Sequence, residues 1–128
     1  MVYPSVTGEM AEALTILFVE DDAAVRESTA QLLASKGFRI LVAPDGAAAL
    51  RLLADNHVDV LFTDIVMHGL DGVALVKRVK EMKPDLKIMF MTGYYSRAAE
   101  AEKLGKLLFK PVRGDRLEAE LRELVHAG

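Results

Sequence analysis

The chain has 128 residues, of which 52% are hydrophobic and 27% are charged, and its formal net charge is −3 at pH 7. These values predict one globular domain with a sizeable core, and they provide no basic field for binding nucleic acid or an anionic membrane. Cysteine is absent, which excludes disulfide bonds and thiolate metal sites. The sequence shows no signal peptide and no apolar run of membrane-spanning length, so we expect a cytoplasmic protein.

Residues 1–13 are predicted to form a loose N-terminal tail, and residues 14–127 a domain in which strands and helices alternate. Five short apolar runs have the composition of buried strands. These runs are Leu14–Val19, Phe38–Val42, Val58–Thr63, Leu86–Met91 and Leu107–Phe109. Each run is followed by a segment with helical spacing of its apolar residues. The helical segments are Val25–Lys36, Ala47–Ala54, Asp71–Met82, Ser96–Leu104 and Asp115–Val125.

The apolar stripes of these segments predict which side of each helix faces the sheet. The stripe residues are Val25, Thr29, Leu32, Leu33 and Lys36, then Leu50, Leu53 and Ala54, then Leu75, Val76, Val79 and Met82, and finally Leu117, Leu121, Leu124 and Val125. Asp22, Asp45 and Asp71 are predicted to cap or begin helices, and Asp59 to mark a surface break before a strand. The fourth helix presents mostly alanine, so we expect it to be weakly attached and mobile.

The alternation of strands and helices predicts an α/β fold. Strands that are apolar on both faces form a parallel sheet covered by helices on both sides, with right-handed crossovers. The expected architecture is a flavodoxin-like, doubly wound (βα)5 sheet with the strand order 2-1-3-4-5. Ligands of such sheets bind beyond the carboxyl ends of the strands, where the strand order reverses. That point brings Glu20 and Asp21 beside Asp64.

Four strand ends carry distinctive side chains to this edge of the sheet. They are Glu20 and Asp21, Asp64, Thr92, and Lys110. Neighbouring carboxylates repel one another, and a divalent cation relieves the repulsion. Oxygen ligands without histidine or cysteine suit Mg²⁺. A lysine and a hydroxyl facing the same point suit a phosphoryl group in transfer, because that chemistry consists mostly of positioning and charge neutralisation.

At these residues the chain resembles the receiver domains of two-component response regulators. The resemblance spans Leu14 to Val125, and its motifs are Val19–Asp22, Thr63–Met67 with Asp71–Gly72, Met91–Gly93, and Phe109–Val112. Each motif is short, but the set is specific because all members stand in order at strand ends.

The resemblance implies a role for each matched residue. Asp64 would be the phosphoacceptor, attacking a phosphohistidine of a histidine kinase or a histidine phosphotransfer protein. Lys110 would pair with the phosphoryl oxygens, and Thr92 would swing its hydroxyl onto them in the active state. Pro111 matches a family proline whose peptide bond with the preceding lysine is typically cis.

The resemblance also implies a Mg²⁺ site. Asp21 and Asp64 would bind the metal ion, with Glu20 assisting through water and the backbone carbonyl of Val66 completing the ligand shell. An aspartyl phosphate would form only with this ion in place.

The sequence departs from the family pattern at several positions. His68 replaces the usual proline after the Asp-x-x-Met run, and it could be a metal or phosphate ligand. We favour an exposed histidine without a role, as for His57 and His126. Leu107 replaces the aromatic residue that normally rotates inward during switching. Tyr94 or Tyr95 could supply the missing ring, or both could be exposed loop residues. Val66 and Tyr94 would flank the path of the hydrolytic water, which predicts slow self-dephosphorylation.

The sequence thus favours a stand-alone receiver that acts as a phosphorylation switch, without room for a DNA-binding or enzymatic output domain. It would signal to a downstream protein target or pass phosphate on in a relay, without contacting nucleic acid or membrane. It would not be an enzyme, except in catalysing its own phosphorylation and dephosphorylation. The alternative is a pseudo-receiver, an interaction module that works without phosphate. A nucleotide or flavin binder is disfavoured because the first turn lacks a glycine fingerprint.

Overall fold

The computed structural model describes residues 2–4, 13–67, 71–94 and 97–126. Within this part of the chain, strands and helices alternate as predicted. The strands are β1 (Val2–Tyr3), β2 (Thr15–Val19), β3 (Arg39–Ala43), β4 (Val60–Asp64), β5 (Lys87–Thr92) and β6 (Lys106–Phe109). The helices are α1 (Ala23–Ser35), α2 (Gly46–Asp55), α3 (Gly72–Met82), α4 (Ala98–Glu102) and α5 (Gly114–His126). No helix of the described residues is long and apolar enough to cross a membrane.

The strands form one sheet in the order β1-β3-β2-β4-β5-β6, in which β2 to β6 are parallel. Apart from β1, this is the predicted order, so the flavodoxin-like α/β fold is confirmed. β1 lies within the segment predicted as a tail. It pairs antiparallel with the outer edge of β3, where Val2 faces Leu41 and Tyr3 faces Ile40.

The core consists of two apolar layers, one on each face of the sheet. The central strands β2 and β4 are buried along their whole length, which explains their continuous apolar sequence. Across one face, the rings of Phe18 and Phe62 stack with their centroids 4.9 Å apart. The two layers hold the central strands rigidly, and with them the residues at the strand ends.

The predicted inward face of α1 is wrong in part. Val25 and Leu32 are 36% and 40% exposed, whereas Ala30, Leu33 and Ala34 are buried. The helix approaches the sheet through alanines, whose small side chains allow close packing but add little to an apolar pattern. The large apolar residues therefore predicted a face of α1 that lies next to the face that is buried.

Two stripe predictions at helix ends are also wrong. Ala54 is exposed, and α2 buries Ala49 and Leu53 instead. Met82, in the last turn of α3, is 51% exposed. Periodicity alone does not show where a helix passes the border of the sheet. The stripe of α5 is better predicted, since Leu117 and Leu121 are buried.

The fourth helix is shorter than predicted. It covers five residues, Ala98–Glu102, and Ala101 is its buried residue. Arg97 precedes it with φ of 69°, a left-handed conformation that is uncommon for a residue with a side chain. Ser96, the predicted start, lies outside the described residues. The mobility of this helix stays a prediction.

The predicted aspartate caps are confirmed. Asp22, Asp45 and Asp71 each accept a hydrogen bond from the backbone N–H three residues later. Gly37 follows α1 with φ of 98°, which glycine adopts without steric cost. These local signals fix where helices begin and end.

Candidate functional site

The carboxyl ends of four parallel strands lie side by side. The residues paired at this edge are Val19 with Thr63, Asp64 with Met91, and Thr92 with Phe109. The ladder continues beyond the strands, because Lys110 N donates to the carbonyl oxygen of Thr92 at 2.8 Å. The register therefore places the predicted site residues along one edge of the sheet.

Asp64 ends β4 and is 8% exposed. Its Oδ1 atom accepts hydrogen bonds from Ile65 N at 2.7 Å and from Val66 N at 3.3 Å. Its Oδ2 atom lies 2.8 Å from Lys110 Nζ. The backbone thus fixes one carboxylate oxygen, and the other faces a cation.

Glu20 is more deeply buried, with 3% of its surface exposed. Burial raises the pKa of Glu20, helped by the neighbouring Asp21 and Asp64, although the hydrogen bond from Asp22 N and the charge of Lys110 act in the opposite direction. The Oε1 atom lies 3.8 Å from Lys110 Nζ. Negative charge is therefore incompletely balanced here. Asp21, the next residue, is half-buried.

Lys110 follows β6 and contacts both acidic strand ends. Burial alone would lower the pKa of Lys110, but the hydrogen bond and charge of Asp64, together with Glu20, raise it above the usual value. The ammonium group consequently stays charged between the two carboxylates. The peptide bond between Lys110 and Pro111 is cis, as the resemblance implies.

Thr92 is completely buried at the end of β5. Its Oγ1 atom accepts a hydrogen bond from Tyr94 N at 3.2 Å. This bond uses an acceptor position of the hydroxyl, which leaves the hydroxyl proton available for donation to another group. Thr92 thus belongs both to the rigid strand and to the loop that follows it.

The residues predicted to modulate the site lie around it. Val66 is 50% exposed and Tyr94 is 61% exposed. Leu107 is half-buried, lies opposite Phe90, and packs against the core layer that contains Phe90. The Tyr94 ring therefore lies largely in solvent in this conformation, as one of the two interpretations expected. His68 and Tyr95 fall outside the described residues.

Gly72 holds the loop after Asp64 against α3, a role that the sequence did not predict. Its N–H donates to the carbonyl oxygen of Ile65 at 2.7 Å. A Cβ atom at Gly72 would collide with the backbone carbonyl of Asp64 and would lie 2.9 Å from Ile65 Cα. The pairing of Asp71 with Gly72 in the sequence is a usable signal for this close approach.

Three further polar contacts were also missed. Arg26, on the first turns of α1, donates from NH1 to the carbonyl oxygen of Glu20 at 2.9 Å. Asp59, interpreted as a surface break, accepts from Thr15 N at 2.8 Å and contacts His57 Nε2 at 2.9 Å. The contact between Asp59 and Thr15 joins residues that are far apart in the sequence, so no local pattern reveals it.

The acidic edge was predicted to bind a metal ion. Among the described residues, no group of three or more histidine, cysteine, aspartate or glutamate side chains is close enough together to hold a metal ion. In this arrangement the Lys110 ammonium is the cation that contacts Asp64 and Glu20. The donor atoms of the predicted ligand set are all hard oxygens.

The family follows from a match along most of the chain. A model described as the response regulator receiver domain matches residues 16–122. The chain belongs to this family. Receiver domains are components of two-component signalling.

Individual relatives agree with the family match. The chain is 35% identical to the response regulator receiver protein CpdR of Brucella abortus, over 88% of the chain and 97% of CpdR. It is 38% identical to the transcriptional regulatory protein FixJ of Bradyrhizobium diazoefficiens, over 86% of the chain but 56% of FixJ. The chain therefore spans nearly all of one relative and little more than half of another.

A solved receiver structure has the same fold. The response regulator protein TrrA of Thermotoga maritima, in complex with Mg²⁺ and beryllium fluoride, superimposes with a TM-score of 0.81. It is 26% identical, and the match covers 87% of this chain and 98% of TrrA.

Proposed function

We propose that this receiver domain is a phosphorylation switch in which Asp64 accepts a phosphoryl group from a histidine kinase or histidine phosphotransfer protein. The observation that carries the proposal is the position of Asp64 at a strand end, with Oδ2 2.8 Å from Lys110 Nζ and Oδ1 held by Ile65 N. A carboxylate held in this way is oriented for attack, and a fixed cation stands where phosphoryl charge would develop.

The transfer is a substitution at phosphorus. A carboxylate oxygen of Asp64 forms the new P–O bond, the P–N bond to the donor histidine breaks, and the departing imidazole nitrogen keeps the electron pair. Lys110 compensates charge on the phosphoryl oxygens, and Thr92 donates its hydroxyl proton to one of them. The product is an aspartyl phosphate.

The residues present fit a Mg²⁺ ion by their chemistry. Two carboxylates, those of Glu20 and Asp64, contact the single charge of Lys110, and burial already raises the pKa of Glu20. The half-buried Asp21 follows Glu20 in the chain. Asp21, Asp64 and the carbonyl of Val66 would hold the ion, with Glu20 assisting. When bound, the ion supplies two positive charges that oppose the repulsion between an incoming phosphoryl group and the carboxylates. The TrrA complex with Mg²⁺ and beryllium fluoride supports the same assignment here.

The proposed site has consequences for partners. Its upstream partner carries a phosphohistidine, and its downstream partner is a protein that distinguishes the two states or receives the phosphoryl group. No turnover of an external substrate is proposed beyond the formation and loss of the aspartyl phosphate. We place this exchange in the cytoplasm.

The test is intact mass after incubation with Mg²⁺ and a small phosphodonor such as phosphoramidate. Wild type should gain the mass of one phosphoryl group, and Asp64→Asn should gain none. Asp55→Asn, which removes an exposed carboxylate at the end of α2, is the matched control and should behave like wild type. Gain by Asp64→Asn, or gain by wild type after Mg²⁺ is chelated, would refute the assignment.

The lifetime of the aspartyl phosphate is a second prediction. The side chains of Val66 and Tyr94 are 50% and 61% exposed beside the site. Neither a valine side chain nor an aromatic ring orients a water molecule well. We therefore expect slow self-dephosphorylation, and faster loss in Val66→Asn, whose amide can position water. A phosphate-release time course measures both rates. Loss from wild type within seconds would contradict the expectation.

The pseudo-receiver remains a second candidate because two features favour it. Leu107 is an aliphatic residue at the switch position, and α4 is only five residues long. If wild type gains no mass, titration with Mg²⁺ and beryllium fluoride separates the candidates. Binding would show an intact site with an unsuitable donor, and no binding would favour the pseudo-receiver.

A further inference from the structure

Four charged side chains connect the start of α3 with α4. Asp71 Oδ2 lies 2.6 Å from Arg97 NH1, Arg97 Nε lies 3.1 Å from Glu100 Oε1, and Glu100 Oε2 lies 2.7 Å from Lys77 Nζ. We call Asp71, Arg97, Glu100 and Lys77 the charge chain. Its signs alternate along its length, and both of its ends are on α3. It therefore ties α4 to α3 at two points.

The α3 end of the charge chain is rigid. Asp71 caps α3 through Oδ1, which accepts from Ala74 N at 2.7 Å, so that its other oxygen is free to meet Arg97. Partial burial alone would raise the pKa of Asp71, but the Ala74 hydrogen bond and the Arg97 contact lower it below its usual value. Asp71 is thus a fixed anion.

Apart from the charge chain itself, the α4 end is held less firmly than the α3 end. Arg97 has φ of 69° and makes no side-chain cap for α4, and the helix buries one residue, Ala101. The left-handed conformation costs free energy for a residue with a Cβ atom. The contacts of Arg97 with Asp71 and Glu100 offset that cost. Removing them should allow the backbone at Arg97 to relax.

The position of the charge chain relates it to the site. Asp71 precedes Gly72, which contacts the backbone of Asp64 and Ile65. Arg97 ends the segment that begins at Thr92, whose hydroxyl accepts from Tyr94 N. Strand β5 therefore holds Thr92, and the charge chain holds Arg97, five residues later in the sequence.

We propose that Arg97 is a positioning residue, whose contacts with Asp71 and Glu100 oppose the movement of Thr92 onto a phosphoryl group. This inference rests on the proposed phosphorylation of Asp64. Movement of Thr92 shifts the backbone that follows it, and the charge chain resists that shift. Releasing Arg97 lowers the cost of the active arrangement and increases affinity for a phosphoryl analogue.

The size of the effect is limited by solvent. The side chains of Arg97 and Asp71 are 37% and 36% exposed, so their attraction is partly screened. We expect loss of this pair to tighten binding of beryllium fluoride about threefold. High salt should reduce the difference between wild type and variant, because it weakens the pair in wild type.

The experiment is calorimetric titration of the full chain with beryllium fluoride in the presence of Mg²⁺. Arg97→Gln and Asp71→Asn should each bind about threefold tighter than wild type, and the double variant should bind no tighter than either. Asparagine preserves the cap of α3, so Asp71→Asn tests the charge rather than the helix start. Arg97→Lys keeps a positive charge and should restore part of the restraint.

Arg116→Gln is the matched control, because it removes an arginine from an exposed pair with Glu120 on α5. It should bind like wild type. A purely structural role for Arg97 would lower the melting temperature and leave the affinity unchanged, and that result would overturn the proposal. Weaker binding by Arg97→Gln would also overturn it. If wild type itself fails to bind, the proposed function is refuted at its own step, before the variants are compared.

Discussion

The end of β4 and the short helix α4 are held in place by different forces. Asp64 is surrounded by backbone: two amides bind one of its oxygens, and Gly72 packs directly against its carbonyl. Helix α4 depends on one buried alanine and on the partly exposed pairs of Arg97. The contacts around Asp64 exclude other arrangements of its side chain, whereas the contacts of α4 can be rearranged at a low cost in free energy.

In the proposed switch, the rigid region would serve phosphorylation at Asp64, and the weakly held region would serve the conformational response. For the proposed phosphorylation, Asp64 must be oriented before a phosphoryl donor arrives, and rigidity at this residue would favour that. A segment that changes state must come from the less stable part of a structure. The comparison predicts that perturbing the first region damages the whole fold, while perturbing the second changes only a local equilibrium.

Hydrogen exchange should show the largest contrast. The amide of Phe62 lies in the buried middle of β4, and that of Ala101 bonds to the carbonyl of Arg97 at 3.0 Å in a one-turn helix. We expect Ala101 to exchange at least about 100-fold faster than Phe62 after correction for intrinsic rates, because α4 opens without global unfolding. Protection that differs by less than about tenfold would remove the basis of the comparison.

A pair of glycine substitutions tests the packing around Asp64. Gly72→Ala places a methyl group against the backbone of Asp64 and Ile65, and it should cost about 2–3 kcal/mol of unfolding free energy despite the better helix propensity of alanine. Gly93→Ala, in the loop after Thr92, meets nothing within 4 Å and should change stability by less than about 0.5 kcal/mol. Denaturant unfolding measures both. Equal losses would show that the two regions are equally packed.

A smaller effect is expected from pH at the charge chain. The folded pKa of Asp71 is lowered, so its contribution to stability is fully present above the unfolded value of 3.8 and is lost as pH falls through the folded pKa. Asp71→Asn should therefore be less stable than wild type near neutral pH, by less than about 1 kcal/mol given the exposure of the pair. The gap should close in acid. Unfolding curves at several pH values would contradict this if the gap stayed constant below the usual aspartate range.

The features predictable from sequence were those with local or periodic causes. Buried strands such as Thr15–Val19 and Val60–Asp64 show continuous apolar runs, and the aspartate caps precede their helices directly. The strand order followed from the alternation of elements, and it located the acidic edge. The roles assigned to the residues of that edge stay predictions until phosphorylation is measured.

The features that escaped prediction depend on the assembled molecule. The contact of Asp71 with Arg97 joins residues in different loops, and their spacing carries no signal. Burial of Ala30 instead of Leu32 depends on how closely α1 approaches the sheet. The pairing of Val2–Tyr3 with β3 involves too few residues for a pattern to be recognised.

That short pairing bears on how the protein behaves at high concentration. The outermost strands of an open sheet carry unpaired backbone groups, and such edges can recruit strands from other molecules and begin aggregation. Val2–Tyr3 occupies this position along Ile40 and Leu41, and at the opposite edge β6 presents the exposed charge of Lys106. Altering the first residues of the chain should therefore affect solubility before it affects the chemistry of Asp64.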